Sequence, residues 1–232
     1  MRVYLNQEEN PQTPLITIIT PSIGRPNLWR LIQSIDDQPV PFCHIILFDD
    51  YRAEKALPPE QYCDAPPHGK RYQITIPGNF VKKPTAGAAL RAVGIMAADS
   101  PWVAFQDDDC WIERDHYTAL LSAVEGKNWG FSRRKIWHPN GTFIGKDDFE
   151  SIGMGNKLGY DLVDGNTYLI RRELAVAMAP RYRETLSYND DRLALEFLSK
   201  LGGEPGQSNH HTVNQTCPDK LIGMFQAYCT ND

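Results

Sequence analysis

The chain has 232 residues, 41% hydrophobic and 23% charged, with a formal net charge of −5. These values fit a soluble globular protein of one large domain or two small ones, and they argue against a nucleic-acid-binding surface, which is usually basic. No apolar run is long enough to span a bilayer, so no transmembrane segment is expected, and the polar start over residues 1–9 is no signal peptide.

The first predicted strand runs from Leu15 to Thr20 and is stopped by Pro21. After the loop Ser22-Ile23-Gly24-Arg25, Pro26 suits the first turn of a helix with Leu28, Leu31, Ile32 and Ile35 at helical spacing. A second strand, Cys43 to Phe48, ends in Asp49-Asp50. Residues 51–70 are rich in proline and charge and read as a surface excursion. Arg71 to Ile76 is a third strand, and residues 85–98 form an alanine-rich helix that carries Arg91. A fourth strand, Trp102 to Phe105, leads into Asp107-Asp108-Asp109, and Cys110-Trp111-Ile112 follows at once, so this acidic run lies between apolar segments.

The second half is more mixed. A helix is expected over residues 115–124, then a hairpin of Trp129–Trp137 and Gly141–Ile144 around His138-Pro139-Asn140-Gly141. The glycine-rich residues 153–159 read as a lid. A short strand over residues 167–170, a helix from Arg172 to Ala179 and an amphipathic helix from Asp190 to Leu201, ended by Gly202-Gly203, complete the pattern. His210-His211 falls in a polar loop. Strand–helix alternation of this kind predicts an α/β fold, a Rossmann-like, mostly parallel mixed sheet flanked by helices, with ligands beyond the carboxyl ends of the strands.

That rule gathers Asp49-Asp50 and the three aspartates at one sheet edge. Clustered carboxylates are hard oxygen ligands suited to Mg²⁺ or Mn²⁺. In an extended chain Asp107 and Asp109 point the same way and Asp108 the other. Arg91 is either a surface ion-pair partner or a clamp on phosphate. Asp190-Asp191 either complements a helix dipole or supplies a general base, and the imidazoles of His210 and His211 are candidate third ligands for Mn²⁺. The five cysteines, Cys43, Cys63, Cys110, Cys217 and Cys229, form no CxxC pair, which excludes a zinc ribbon and fits a reducing, cytoplasmic compartment. The acceptor patterns at Asn140 and Asn214 are therefore read as chance.

Taken in order, these segments resemble inverting family-two glycosyltransferases with the GT-A fold. Residues 18–26, Ile-Ile-Thr-Pro-Ser-Ile-Gly-Arg-Pro, with Ser34-Ile35 and Gln38, are similar to that family's opening strand, its T-P-T-x-x-R-P loop and its S-I-x-x-Q helix. Phe48-Asp49-Asp50 resembles its V-D-D-G-S strand end, with Tyr51-Arg52 in place of glycine-serine. Leu90-Arg91-Ala92-Val93-Gly94-Ile95 resembles A-R-N-x-G-I, and Phe105 to Asp109 resembles F-L-D-x-D, the DxD motif. Asn189-Asp190-Asp191-Arg192-Leu193 resembles E-D-x-x-L, and residues 211–216 resemble H-x-x-N-x-S/T.

The resemblance implies one GT-A domain over residues 1–232, with a nucleotide-sugar half over about 15–110 and an acceptor and base half over about 111–232. It implies sugar transfer from a nucleotide-diphosphate donor, UDP by family weight, to a hydroxyl on a glycan or other acceptor. Thr20, Pro21, Ser22, Arg25, Asp49, Asp50, Arg91, Asp107 and Asp108 would hold the donor. Asp109 with Asp107, His211 or His210 would hold Mn²⁺ or Mg²⁺. Asp190 and Asp191 are rivals for the catalytic base, Asp190 being preferred because Leu193 then falls in register. Trp137, Tyr160, Asp164, Gly165 and Asn166 would meet the acceptor, and a lipid-linked acceptor would require peripheral membrane attachment. The competing readings are a nucleotidyltransferase that builds sugar nucleotides, which should show a more glycine-rich, basic first loop, and a non-catalytic nucleotide-sugar or glycan-binding module.

Overall fold

The computed structural model describes residues 3–5, 13–50, 53, 64–76, 87–147, 162–184 and 190–230. A ten-stranded mixed sheet runs through both halves of the chain. Its strands are β1 (Val3–Leu5), β2 (Ile16–Ser22), β3 (Phe42–Phe48), β4 (Gly69–Thr75), β5 (Trp102–Phe105), β6 (Cys110–Ile112), β7 (Trp129–Trp137), β8 (Phe143–Asp147), β9 (Tyr168–Arg171) and β10 (Gly206–Thr216). The order is β1-β4-β3-β2-β5-β9-β7-β10-β6, with β8 also paired to β7. Parallel ladders join β4-β3-β2-β5 and β7-β10, and the remaining pairs are antiparallel. The helices are α1 (Leu28–Asp36), α2 (Ala88–Ala97), α3 (His116–Ala123), α4 (Arg172–Glu184), α5 (Asp190–Leu201) and α6 (Ile222–Tyr228).

Alternation along each central strand feeds two cores. Ile19, Ile45, Leu47, Val103, Phe105 and Ile170 face α2, α4 and α5. Ile16, Ile18, Ile46, Phe48, Ala104 and Leu169 face α1 and α3. Because both faces are covered, β2, β3 and β5 are buried along their whole length and mostly apolar, with Thr17, Thr20, Ser22 and His44 as buried polar exceptions. Gly94 lets α2 lie close on the sheet, since a Cβ there would stand 2.5 Å from Ile19 Cγ2. A smaller cluster, Ile136, Cys217 and Phe225, seats α6.

Ser34 and Gln38, the polar positions of the S-I-x-x-Q segment, close the free edge of β6. The Ile112 amide donates to Ser34 Oγ at 3.1 Å, and Gln38 Nε2 donates to the Glu113 carbonyl at 2.8 Å. The Tyr117 amide donates to Gln38 Oε1 at 3.2 Å. The edge strand and the residues after it are thus fastened by Ser34 of α1 and by Gln38 just beyond it, which ties the segment after the three aspartates to the first half of the chain.

Four sequence expectations change. The first strand passes through Pro21 to Ser22. Pro21 faces β5, where pairing has already stopped at the Gln106 amide, so its missing N–H disrupts no continuing ladder. Helix α4 runs on past Ala179 through Pro180, and Tyr182 on the added turn packs edge-on to Phe105 with centroids 5.8 Å apart. His210 and His211 lie within strand β10, not in a loop. Strand β1 was too short for sequence periodicity to register. The expected lid over residues 153–159 lies outside the described residues.

Candidate functional site

Parallel pairing sets the first part of the site. Ser22 is in register with Phe48, and Ile19 with Phe105, so Ser22, Asp49-Asp50 and the three aspartates emerge at one sheet edge. Antiparallel pairing sets the second part. Leu169 pairs with Ala104, so the chain entering β9 passes the tip of β5. There a short 3-10 turn, Gly165–Thr167, is capped by Asp164, whose carboxylate accepts from the Asn166 amide. Asn166 Oδ1 then accepts from the Asp107 amide at 2.6 Å, and its Nδ2 donates to Asp164 Oδ1 at 2.9 Å.

Two buried arginines tie these carboxylates together. Arg91 on α2 donates from Nη1 to Asp190 Oδ2 and from Nη2 to Asp107 Oδ1, each at 2.5 Å. It thereby joins the tip of β5 to the first turn of α5. Arg134 on β7 donates from Nε to Asp147 Oδ2 at 2.6 Å and from Nη1 to Asp164 and Gln215. Asp108 is buried, accepting from Ser22 Oγ at 2.7 Å, the Ile23 amide at 3.1 Å and Arg25 Nη1 at 2.8 Å. Asp109 is more open, with 32% of its side chain exposed, and accepts from the same Arg25 nitrogen at 2.7 Å.

The two candidate bases differ in their surroundings. Burial pushes the pKa of both Asp190 and Asp191 upward. At Asp190 the contacting Arg91 guanidinium opposes burial. At Asp191, burial is reinforced by the Asp164 and Asp190 carboxylates and only partly opposed by Arg91, which makes no ion pair with it, and the group is held well above the ordinary carboxylate range. Burial and Asp107 likewise raise Asp109, to about 6.

Gly165 makes the room that Asp191 occupies. A Cβ on Gly165 would stand 2.6 Å from Asp191 Oδ1. The clash falls on a short side chain's end, so it would be relieved by moving that carboxylate. On the reading of Asp191 as a base, Gly165→Ala should lower kcat by at least about tenfold with Tm within a few degrees of wild type, since misplacing a reacting group by 1 Å can cost roughly a hundredfold. Steady-state kinetics and a thermal melt check this.

The other expected residues divide clearly. Thr20 is buried and its hydroxyl pairs with His44 Nε2 at 2.9 Å, so it belongs to strand packing. Pro21 is buried beside it, and Asp49 and Asp50 sit half-buried at the tip of β3. His210 and His211 are not brought to the aspartates. β6 ends at Cys110, opposite Gln215 of β10, and His211 lies earlier on β10, in register with Arg133 of β7. Trp137 packs against Trp111 at 5.7 Å and donates to Asn214, which faces away from Gln215, the partner of Arg134. It therefore lies on the opposite sheet face from the carboxylates. Trp129 is buried. Tyr160 lies outside the described residues. Arg134, Asp147 and Gln215 were not anticipated, because nothing in the order of the chain shows that strands β7, β8 and β10 bring them together.

Comparison with known proteins follows this geometry. The family model described as glycosyl transferase family 2 matches residues 17–136. None of the curated proteins compared matches the sequence. Among solved structures, the chain is similar to S. aureus TarS residues 1–349, with a TM-score of 0.60 and 14% identity, over 94% of this chain and 66% of that one. The same TarS fragment in complex with UDP-GlcNAc gives a TM-score of 0.62 and 15% identity over 88% of this chain and 59% of that one. Its complex with UDP gives 0.62 and 13% over 94% and 67%. The chain thus spans about two thirds or less of those structures, and at such identity the likeness is one of fold.

Proposed function

The chain belongs to glycosyl transferase family 2 and has the GT-A fold, and on that premise we propose that it moves a sugar from a UDP-sugar to an acceptor hydroxyl with inversion at the anomeric carbon. One observation carries the reading: Arg91 binds Asp107 and Asp190 at once, which brings the sheet-edge aspartates and the first turn of α5 into one site. The structures of TarS with UDP-GlcNAc and UDP support a uridine nucleotide as the donor. Residues 15–110 then carry the donor side and residues 111–232 the acceptor side.

Asp191 is the base in this proposal, in place of Asp190. A base needs a carboxylate that is free of a cation and more basic than usual. Asp190 is held by Arg91, whereas Asp191 makes no ion pair among the described residues and is flanked by like charge. It would take the proton from the acceptor hydroxyl as that oxygen attacks the sugar from the face opposite the diphosphate. Asp164 and Asn166 hold Asp107 in place, and Ser22, Arg25, Asp49 and Asp50 flank the donor. The acceptor is a glycan or other hydroxyl compound. No helix among the described residues is long and apolar enough to cross a membrane. The proposed setting is the cytoplasm, with peripheral attachment if the acceptor is lipid-linked.

The residues fit a divalent cation of the Mg²⁺ or Mn²⁺ type. Among the described residues no three Asp, Glu, His or Cys side chains form a ready metal-binding group. The Asp107 and Asp108 carboxylates are held by two or more protein donors each, which leaves Asp109, held by Arg25 and a weak thiol donor, as the carboxylate that could most easily turn to a cation. Mg²⁺ in particular is commonly held by one or two carboxylates together with substrate phosphates. Such an ion, once bound, would neutralise charge growing on the leaving diphosphate. Asp109→Ala should abolish the Mn²⁺-dependent gain in UDP affinity, a loss of at least about tenfold. Calorimetric titration of UDP with and without Mn²⁺ tests it, and an unchanged gain would remove Asp109 from the role.

A further inference from the structure

Arg25 stands where a cation would have to act. Its Nη1 lies 2.8 Å from Asp108 Oδ1 and 2.7 Å from Asp109 Oδ2. The two carboxylates differ in what else holds them. Asp108 keeps the Ser22 hydroxyl and the Ile23 amide if Arg25 leaves. Among the described residues, Asp109 then keeps only the weak thiol donor of Cys110, at 3.7 Å. Arg25 comes from the loop between β2 and α1, and 44% of its side chain is exposed, so it is less enclosed than Asp108, which it pairs with.

We propose that Arg25 is a resident counter-ion that blocks Asp109 until a diphosphate arrives, so that cation and donor enter together and neither binds well alone. This rests on the metal-dependent donor reading above. A guanidinium and a divalent ion compete for the same carboxylate. Without donor, displacing Arg25 breaks two ion pairs and leaves its charge without a partner. A diphosphate offers that guanidinium a bidentate partner of higher charge. Asp109 is then released as the diphosphate oxygens become available. The coupling is reciprocal, so UDP tightens Mn²⁺ by the same factor as Mn²⁺ tightens UDP.

The test is Mn²⁺ binding to the full chain, followed by electron paramagnetic resonance, for wild type and Arg25→Gln with and without UDP. Wild type should bind Mn²⁺ weakly alone and at least about tenfold more tightly with UDP, within the usual range of coupling between sites. Arg25→Gln should bind Mn²⁺ alone about fivefold more tightly than wild type, as loss of two partly exposed ion pairs predicts, with a smaller gain from UDP. Arg25→Lys should fall between them, and adding Asp109→Asn to Arg25→Gln should erase the extra affinity. If wild type and Arg25→Gln bind Mn²⁺ equally without UDP while UDP still promotes binding, the counter-ion role is overturned and the donor reading stands. If Mn²⁺ binds neither protein even with UDP, the metal-dependent reading fails and this inference fails with it.

Discussion

Asp191→Asn should leave UDP affinity near wild type while lowering the transfer rate by about 10²–10⁴-fold, the usual contribution of a positioned general base. The amide keeps the shape of the carboxylate and cannot accept the acceptor proton. The pH dependence follows from the raised pKa. Transfer needs the ionised form, so the wild-type rate should rise with pH through a window above the ordinary carboxylate range, and the Asn variant's residual rate should lack that limb.

Stability should move the other way. The folded pKa of Asp191 lies above its unfolded value. Its contribution to stability is therefore present below the unfolded pKa and is lost as pH rises through the folded one. The Asn variant never acquires that buried charge, so its Tm relative to wild type should increase from acid to neutral pH. Rate profiles and melts at several pH values check both limbs. Transfer surviving in Asp191→Asn and failing in Asp190→Asn, with Tm unaffected in the latter, would return the base to Asp190.

Arg91→Ala should have the largest effect on stability. The side chain of Arg91 is 4% exposed, and its partners Asp107 and Asp190 are 27% and 5% exposed. Removing one member of a buried ion group strands the others, at a cost of about 3–5 kcal/mol. For a chain of this size that lowers Tm by roughly 6–20 °C. Lysine should restore only part of the loss, because one ammonium cannot present two separate nitrogens to two carboxylates. The deficit should shrink as pH falls, since the stranded carboxylates can then take up protons. A Tm loss under 2 °C, or one independent of pH, would mean that Arg91 does not bridge the two segments.

Much of this site was legible in the chain. The strand Trp102 to Phe105 stops at Gln106 because the buried apolar run ends there, so the sequence placed the three aspartates at a sheet edge. Parallel neighbours must present like ends, which brought Ser22 and Asp49 to the same edge. Asp190 and Asp191 could be located at the start of a helix from the spacing of Leu193, Phe197 and Leu198, although the structure buries Ala194, Leu195 and Leu198 and leaves Leu193 and Phe197 half-buried. These are local patterns with a fixed period, and the period survives whatever the rest of the fold does.

The choices between neighbours were not local. Asp190 and Asp191 carry the same group one residue apart, and only the position of Arg91, about a hundred residues earlier, separates the paired one from the open one. Whether a histidine in the 210–211 pair could reach Asp109 depended on the ladder between β6 and β10, in which each residue of offset moves a side chain by about 3.3 Å. Arg134 reads as one of three consecutive basic residues, and it becomes the buried partner of Asp147 and Asp164 because β8 pairs along β7 and the chain entering β9 passes beside it. Sequence determined which chemical groups exist and which edge of the sheet they reach. Tertiary structure decided which charges meet, because ion pairing depends on distances that only long-range register sets.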